Sequence, residues 1–348
     1  MLYNRNFMEG KLNKWAGGAF VHSHLRIEDI LNKKSPEVLP GEITKYMRRY
    51  TDGSFSLRAI TTYLEGLFGE NMLVTDTQHP AYVLAENYDD LEDADKVQFF
   101  NDKAREQTVE LLSECIVRRA NLVKKHGQMP NVLTGVEADI LSEKGGMTVA
   151  NSALKELDFV TTSFHSSIWH AAGNEKIRKG TEIIDTYHYI VENQNVDMLS
   201  HPTLYVPEKV KRAMNGADWT ELLTHMKDAN VAYEVNLDSS TLTHSHAQNP
   251  DRQVLSEALK VGTPLIIGFD FHYLSDWGVE PSPRLILEPE EARDLFKRNA
   301  ENGTLSHLLS KVLGNIYALE EMGIRPHDIL NSDKDTFIKW LKERNGNL

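Results

Sequence analysis

Seven short apolar runs, each closing on or carrying a polar or metal-ligating residue, constrain this chain more than any other feature. Ala19-Phe20-Val21 runs into His22-Ser23-His24. Asn71-Met72-Leu73-Val74-Thr75-Asp76-Thr77-Gln78 runs into His79. Asn131-Val132-Leu133-Thr134-Gly135-Val136 ends at Glu137, and the run from Leu157 to Phe164 ends at His165. Val196-Asp197-Met198-Leu199-Ser200 ends at His201. Ala232-Tyr233-Glu234-Val235-Asn236 carries an acid and an amide, and Pro264 to Phe269 ends at Asp270-Phe271-His272. These lengths suit strands, and barrels of parallel strands gather their chemistry where the strands end. Because strand side chains alternate with period two, His22 and His24 would point to one side if the first run is a strand.

Between the runs the spacing predicts helices over 148–156, 168–175, 181–192, 207–214, 219–228 and 252–260, so strand and helix alternate from Val132 onward. Such alternation argues for a parallel sheet or barrel. Residues 10–20 read as a lead-in to the first strand. The segment Leu57 to Phe68 has helical apolar spacing, and 96–126 reads as one long amphipathic helix stopped by Gly127 and Pro130. Stretches 30–70 and 84–128 are therefore expected to be helical elaborations, and 87–95 an acidic solvated loop. Beyond Pro289 helices are predicted over 290–302, 305–322 and 333–343, without an internal repeat or a convincing linker. The expected organisation is a single α/β domain over 1–348, with its core at about 19–288 and C-terminal helices at 289–348.

Composition narrows the chemistry. The only cysteine, Cys115, falls in a helical pattern and reads as a packed thiol; one cysteine rules out an internal disulfide, a thiolate zinc site and an iron–sulfur cluster. Lys and Arg number 38 against 51 Asp and Glu, a formal charge of −13, which disfavours broad binding to nucleic acid. No run of apolar residues is long enough to span a bilayer and the first residues lack a signal-peptide core, so a cytoplasmic location without membrane association is expected.

The candidate ligands are His22, His24, Asp29, His79, Glu137, His165, His201, Asp270 and His272. Mixed nitrogen and oxygen donors suit Zn²⁺, Mn²⁺ or Fe²⁺ and are too rich in nitrogen for Mg²⁺ or Ca²⁺ alone. Nine ligands exceed the needs of one ion, so two or three are implied, with the two oxygens of Glu137 a natural bridge. Such a centre can neutralise a phosphoryl oxygen and activate water, giving phosphoester hydrolysis by a metal-bound hydroxide. Each residue also has a structural alternative: His79 and His201 precede prolines and fit turns, Asp29 fits a helix N-terminus, Glu137 and Asp270 fit buried carboxylates paired with arginine, and His165 fits a core histidine. The joint placement at strand ends favours ligation. The histidines at 126, 170, 188, 225, 307 and 327 lie in or beside helical patterns and read as surface or packing residues.

In order along the chain these motifs resemble the PHP (polymerase and histidinol phosphatase) family. The resemblance rests on His22-Ser23-His24 with Asp29, on Thr75-Asp76 before His79, on Gly135-Val136-Glu137, on Ser163-Phe164-His165 and on Asn193 to Val196 with Asp197, His201 and Pro202. Glu234-Val235-Asn236 and Phe269-Asp270-Phe271-His272 complete it. Phe269, Ile30 and the two extra residues before His79 depart from the family pattern. The likeness is strongest to stand-alone phosphatase-like members and to the PHP domain of family X DNA polymerases, and it covers about residues 19 to 280.

The resemblance implies a distorted (βα)₇ barrel with a trinuclear site. His22, His24, Glu137 and Asp270 would hold one ion, Glu137, His165 and His201 a second, and Asp29, His79 and His272 a third. Glu137 and Asp270 would be the catalytic carboxylates. Arg26 would contact phosphate, and Asn236, His244 and Arg284 are candidate substrate contacts. The expected function is a metal-dependent phosphatase or phosphodiesterase acting on a small phosphorylated substrate. A 3′–5′ exonuclease or other nuclease acting on DNA or RNA ends, and a catalytically inactive PHP-fold interaction module, are the alternatives. Metal-dependent amidohydrolases share the H-x-H pair but usually add a barrel lysine, and no lysine ends any of these runs.

Overall fold

The computed structural model describes residues 5–23, 72–78, 102–126, 131–174, 180–204, 206, 216–237, 242, 250–271, 298 and 304–345. The predicted strands form, and they close a parallel barrel in chain order. They are β1 (Ala19–Ser23), β2 (Leu73–Gln78), β3 (Val132–Asp139), β4 (Phe159–Ser163), β5 (Met198–Leu199), β6 (Ala232–Asn236) and β7 (Leu265–Phe271). The last strand returns to the first, with Val21 opposite Gly268 and Ser23 opposite Phe271; the register slips between these two pairs.

Alternation sorts each strand into an inner and an outer row. Ala19, Val21, Leu73, Phe159, Met198, Ala232 and Ile266 pack together inside the barrel. Phe20, Val74, Val136, Val160, Leu199, Tyr233, Val235, Ile267 and Phe269 face the surrounding helices. The inner row near the strand starts is apolar. Farther along the same rows stand Thr75, Thr77, Glu137, Thr161, Glu234, Asn236 and Asp270.

Helices α1 (Arg5–Ala16), α2 (Asp102–His126), α3 (Asn151–Leu154), α4 (Ser166–Ala171), α5 (Gly180–Asn193), α6 (Gly216–Asp228), α7 (Pro250–Val261), α8 (Thr304–Glu321) and α9 (Lys334–Asn345) are the α-helices of the described residues. Helices α5, α6 and α7 follow the expected pattern, with an acid in the first turn of each; α6 and α7 add a base in the last, matching the helix dipole. Helix α2 is tied to the barrel by a buried ion pair between Arg119 and Asp76. That is the arginine-paired arrangement considered for Glu137 and Asp270, found here at Asp76. Cys115 lies in α2, but its side chain is outside the described residues, as are 24–70, 87–95, 207–214 and 290–297.

Two segments differ from expectation. The lead-in over 10–20 is largely helix α1, which buries Leu12, Trp15 and Ala16. The helix expected over 148–156 shrinks to α3. Thr148 instead exchanges hydrogen bonds with Asp139, its N–H to the carbonyl at 3.0 Å and its hydroxyl oxygen accepting at 3.0 Å, and Met147 bridges to Ile140. Strand-like pairing with the end of β3 takes the backbone groups that a helix would need.

The strand starts are closed by α9. Phe337, Trp340 and Leu341 are buried against the apolar inner row, and the Phe337 ring lies 6.0 Å from that of Phe159. Just before α9, buried Asn331 acts as a piece of strand. It accepts from Ile267 N–H at 2.9 Å and donates to the carbonyls of Ile267 at 2.8 Å and Ala19 at 2.9 Å. Among the described residues no helix is long and apolar enough to cross a membrane.

Candidate metal centre

The other end of the barrel is polar and strained. His22, Glu137, His201 and Asp270 each offer a donor atom, and the four atoms lie within 4.8 Å of one another. His22 Nε2 is 3.1 Å from Glu137 Oε2 and 3.6 Å from Asp270 Oδ1. His201 Nε2 is 3.2 Å from Glu137 Oε1 and 3.9 Å from Asp270 Oδ2. Ion–donor bonds of about 2.1 Å place neighbouring donors about 3.0 to 3.4 Å apart in octahedral or tetrahedral shells. The quartet is therefore close to the spacing of a coordination sphere before any ion tightens it. Two imidazoles and two carboxylates form a set suited to Zn²⁺, Mn²⁺ or Fe²⁺.

Plain alternation does not build this cluster. Ala19 and Val21 face inward, so His22 ought to face the helices; Met198 faces inward, so His201 ought to face outward too. Both are turned in by left-handed backbone, with φ of 64° at His22 and 30° at His201, and Asp270 shares the conformation at 46°. A non-glycine residue in this region costs on the order of 1–3 kcal/mol and persists only where neighbours hold it. The neighbours are identifiable. The regular β1–β2 pairing stops at Phe20, and beyond it hydroxyls take over from carbonyls. Thr75 Oγ1 accepts from His22 N–H at 2.9 Å and Thr77 Oγ1 from Ser23 N–H at 3.0 Å. Glu234 Oε2 accepts from His201 N–H at 2.6 Å. Asn236 donates to Asp270 Oδ2 at 3.4 Å.

Two imidazoles, those of His22 and His165, are also held from behind. His22 Nδ1 lies 2.6 Å from Glu234 Oε1, and His165 Nδ1 lies 2.7 Å from Asp139 Oδ1 and 3.1 Å from Ser163 Oγ. A carboxylate on one ring nitrogen fixes the tautomer and aims the other nitrogen, an arrangement common behind metal-bound histidines. The His165 ring is centred 5.2 Å from that of His201, and the His22 ring 5.6 Å from it. Burial opposes a charged imidazole at His22, yet Glu234, Glu137 and Asp270 outweigh it and hold its pKa well above the usual histidine range. His201 is raised in the same way against its burial, chiefly by its hydrogen bond to Glu137 and by Asp270. Packed carboxylates thus place these imidazoles in a field that favours positive charge.

Of the residues singled out from the sequence, His22, Glu137, His165, His201, Asn236 and Asp270 are brought to one end of the barrel. His24, Arg26, Asp29, His79, His244, His272 and Arg284 lie outside the described residues. Glu234, Asp139, Thr75 and Thr77 were not expected to support the site. Their signal in the sequence is an inward parity shared with Glu137: acids and hydroxyls where an apolar inner row would continue. His188 and His225, read as surface or packing residues, pair across α5 and α6 with Nδ1 atoms 3.0 Å apart.

No protein-family model matches the chain. A probable phosphatase of Shewanella loihica is 30% identical over 185 residues, 52% of this chain and 68% of that protein. Probable phosphatases of Shewanella amazonensis and Shewanella frigidimarina are 28% and 32% identical over 148 and 143 residues, 42% and 40% of this chain. The chain spans about half the length of these two, 53% and 51%. A Zn-bound amidohydrolase from Burkholderia ambifaria matches at 13% identity over 93% of each chain with a TM-score of 0.36, too loose a superposition to carry an argument. The match to two thirds of the Shewanella loihica protein is what decides kinship: this chain belongs to the family of that probable phosphatase.

Proposed function

We propose that this protein is a metal-dependent phosphoesterase of the PHP type, hydrolysing a small phosphorylated compound at the C-terminal end of its barrel. The observation that carries the reading is the quartet of His22, Glu137, His201 and Asp270, drawn together by left-handed backbone at three of its four members. A site that retains such strain has a reason to hold that geometry. The probable-phosphatase relatives support phosphoester chemistry over other reactions of mixed His and carboxylate sites.

A divalent ion bound here supplies Lewis-acid charge for a phosphoryl oxygen and lowers the pKa of water. The chain's own residues do the rest. Glu137 presents one oxygen to each of two imidazoles, so it would serve as a ligand beside either of them. His165, backed by Asp139 and beside His201, extends the site on that side, and with Glu137 and His201 it would hold a second ion. Asp270, with 13% of its side chain exposed against 0–1% for His22, Glu137 and His201, is the member nearest solvent and the group placed to take a proton from water. Asn236 holds Asp270 in place from β6. The formal charge of −13 favours a compact phosphorylated substrate over a polynucleotide.

The test is metal analysis of protein purified without chelator, combined with p-nitrophenyl phosphate hydrolysis with and without added Mn²⁺. Two or three ions per chain with metal-dependent turnover are expected. A chain with no bound ion and no Mn²⁺-dependent activity would overturn the reading.

A further inference from the structure

We propose that Glu234 is a positioning residue of the metal centre: a single carboxylate that sets the tautomer of His22 and the backbone of His201, in a space left open by Gly268. The inference rests on the metal-dependent reading above.

Glu234 stands on the inner row of β6, only 2% exposed. Its two oxygens serve two different ligands by two different means. Oε1 lies 2.6 Å from His22 Nδ1, so Nδ1 carries the proton and Nε2 is left facing Glu137 and Asp270. Oε2 accepts the backbone N–H of His201 at 2.6 Å, fixing the peptide that turns this ring inward. Both partners have left-handed φ and both would face outward on regular strands. One side chain therefore holds both of the histidines that alternation would misplace. Glu234 is not one of the four clustered donors; it stands behind two of them.

Gly268 supplies independent support. It lies on the neighbouring strand β7, in register with Asn236, and on the same inner row. A Cβ built there would overlap Oε1, Cδ and Cγ of Glu234. Gly268 has no positive φ, so its need for glycine comes from this close approach rather than from the backbone.

The experiment compares the wild-type chain with Glu234→Gln, which keeps the shape but cannot accept from both partners through equivalent oxygens, and with Gly268→Ala, which displaces Glu234 without altering it. Co²⁺ titration followed by visible absorption reads ligand geometry. Competition with a chromophoric chelator reads Zn²⁺ affinity, and melting of the metal-free proteins reads folding. Loss of a partner behind a metal ligand typically costs about 10–100-fold in metal affinity, and that loss with an altered Co²⁺ spectrum is expected in both variants. Lowered melting with an unaltered Co²⁺ spectrum and affinity would make Glu234 merely structural and overturn the proposal. Wild-type protein that takes up neither ion would overturn the metal-dependent reading and this proposal with it, whereas wild-type uptake with unchanged variants overturns the proposal alone.

Discussion

The two mouths of the barrel are made from the same strands, a few residues apart, and by opposite chemistry. At the strand starts the inner row is Ala19, Leu73, Phe159, Met198, Ala232 and Ile266, sealed by Phe337, Trp340 and Leu341 of α9. At the strand ends the same row carries Glu137, Glu234 and Asp270, and backbone strain adds His22 and His201. Apolar burial stabilises the first mouth at about 25 cal/mol per Å² removed from water. The second gathers like charges and unfavourable dihedrals. The division of labour follows: one mouth holds the fold and the other draws on that stability to hold a geometry.

That comparison can be broken at either mouth. Glu137→Gln should have the largest effect. It removes charge from the carboxylate facing both imidazoles, and phosphoesterase activity is expected to fall by at least about 10³-fold, with uptake of divalent ions weakened and the denaturation midpoint at or above wild type. Ion analysis and chemical denaturation of one preparation check both halves. At the sealed mouth, Phe337→Ala should cost about 3–5 kcal/mol of folding stability while kcat/KM of the folded protein stays within about twofold. A loss of activity larger than the unfolded fraction explains would show that the two mouths are coupled.

A third test concerns Asp197, buried before β5. Its carboxylate accepts from Val160 N–H at 2.7 Å, yet burial pushes its pKa up from 3.8 to about 6, against the opposing pull of that bond and of Arg344. An acid whose folded pKa exceeds its unfolded one binds more protons when folded, so its contribution to stability is greatest below about pH 4. That contribution is lost as the pH rises toward 6 and above. Relative to Asp197→Asn, the wild-type chain should lose about 3 kcal/mol across that window. Denaturant midpoints of both proteins from pH 4 to 7 measure the difference, and a flat difference would refute it. The smallest effect is expected from Thr75→Val, which leaves the His22 N–H without its hydroxyl acceptor. A cost of about 1–3 kcal/mol is expected, with metal affinity reduced because His22 is less firmly turned inward. An unchanged affinity would mean that Glu234 alone holds the ring.

Much of this architecture was legible in the sequence, because strand length, alternation and a ligating residue at the strand end are local signals. The runs ending at Glu137, His165 and Asp270 became β3, β4 and β7, and the chemistry-bearing position of each shares the parity of the inner row. What was not legible is non-local. That His22 and His201 need left-handed backbone depends on where their strands' inner rows fall in the closed barrel. Glu234 reads in the sequence as part of a strand motif, and only the fold brings it to His22, 212 residues away. Asp139 lies two residues past the run that ends at Glu137, and its pairing with His165 depends on how β3 and β4 align. Helix α1 was missed because its apolar residues, Phe7, Met8, Leu12, Trp15 and Ala16, are scattered among polar neighbours and give a weak period, although Leu12, Trp15 and Ala16 are fully or almost fully buried.

The seam at Asn331 bears on how the protein comes off the ribosome. The amide that caps Ala19 lies 312 positions later in the chain, and the strand that covers the open edge of β1 is β7. At about 5–20 residues per second, a nascent chain would wait roughly 15–60 s between emergence of Ala19 and arrival of Asn331. Until β7 emerges β1 has an uncovered edge, and His22 lacks the Glu234 and Asp270 that accompany it in the finished fold. Slow synthesis prolongs the time in which this set of side chains is incomplete, so the four-residue cluster can assemble only once β7, with Asp270, has emerged.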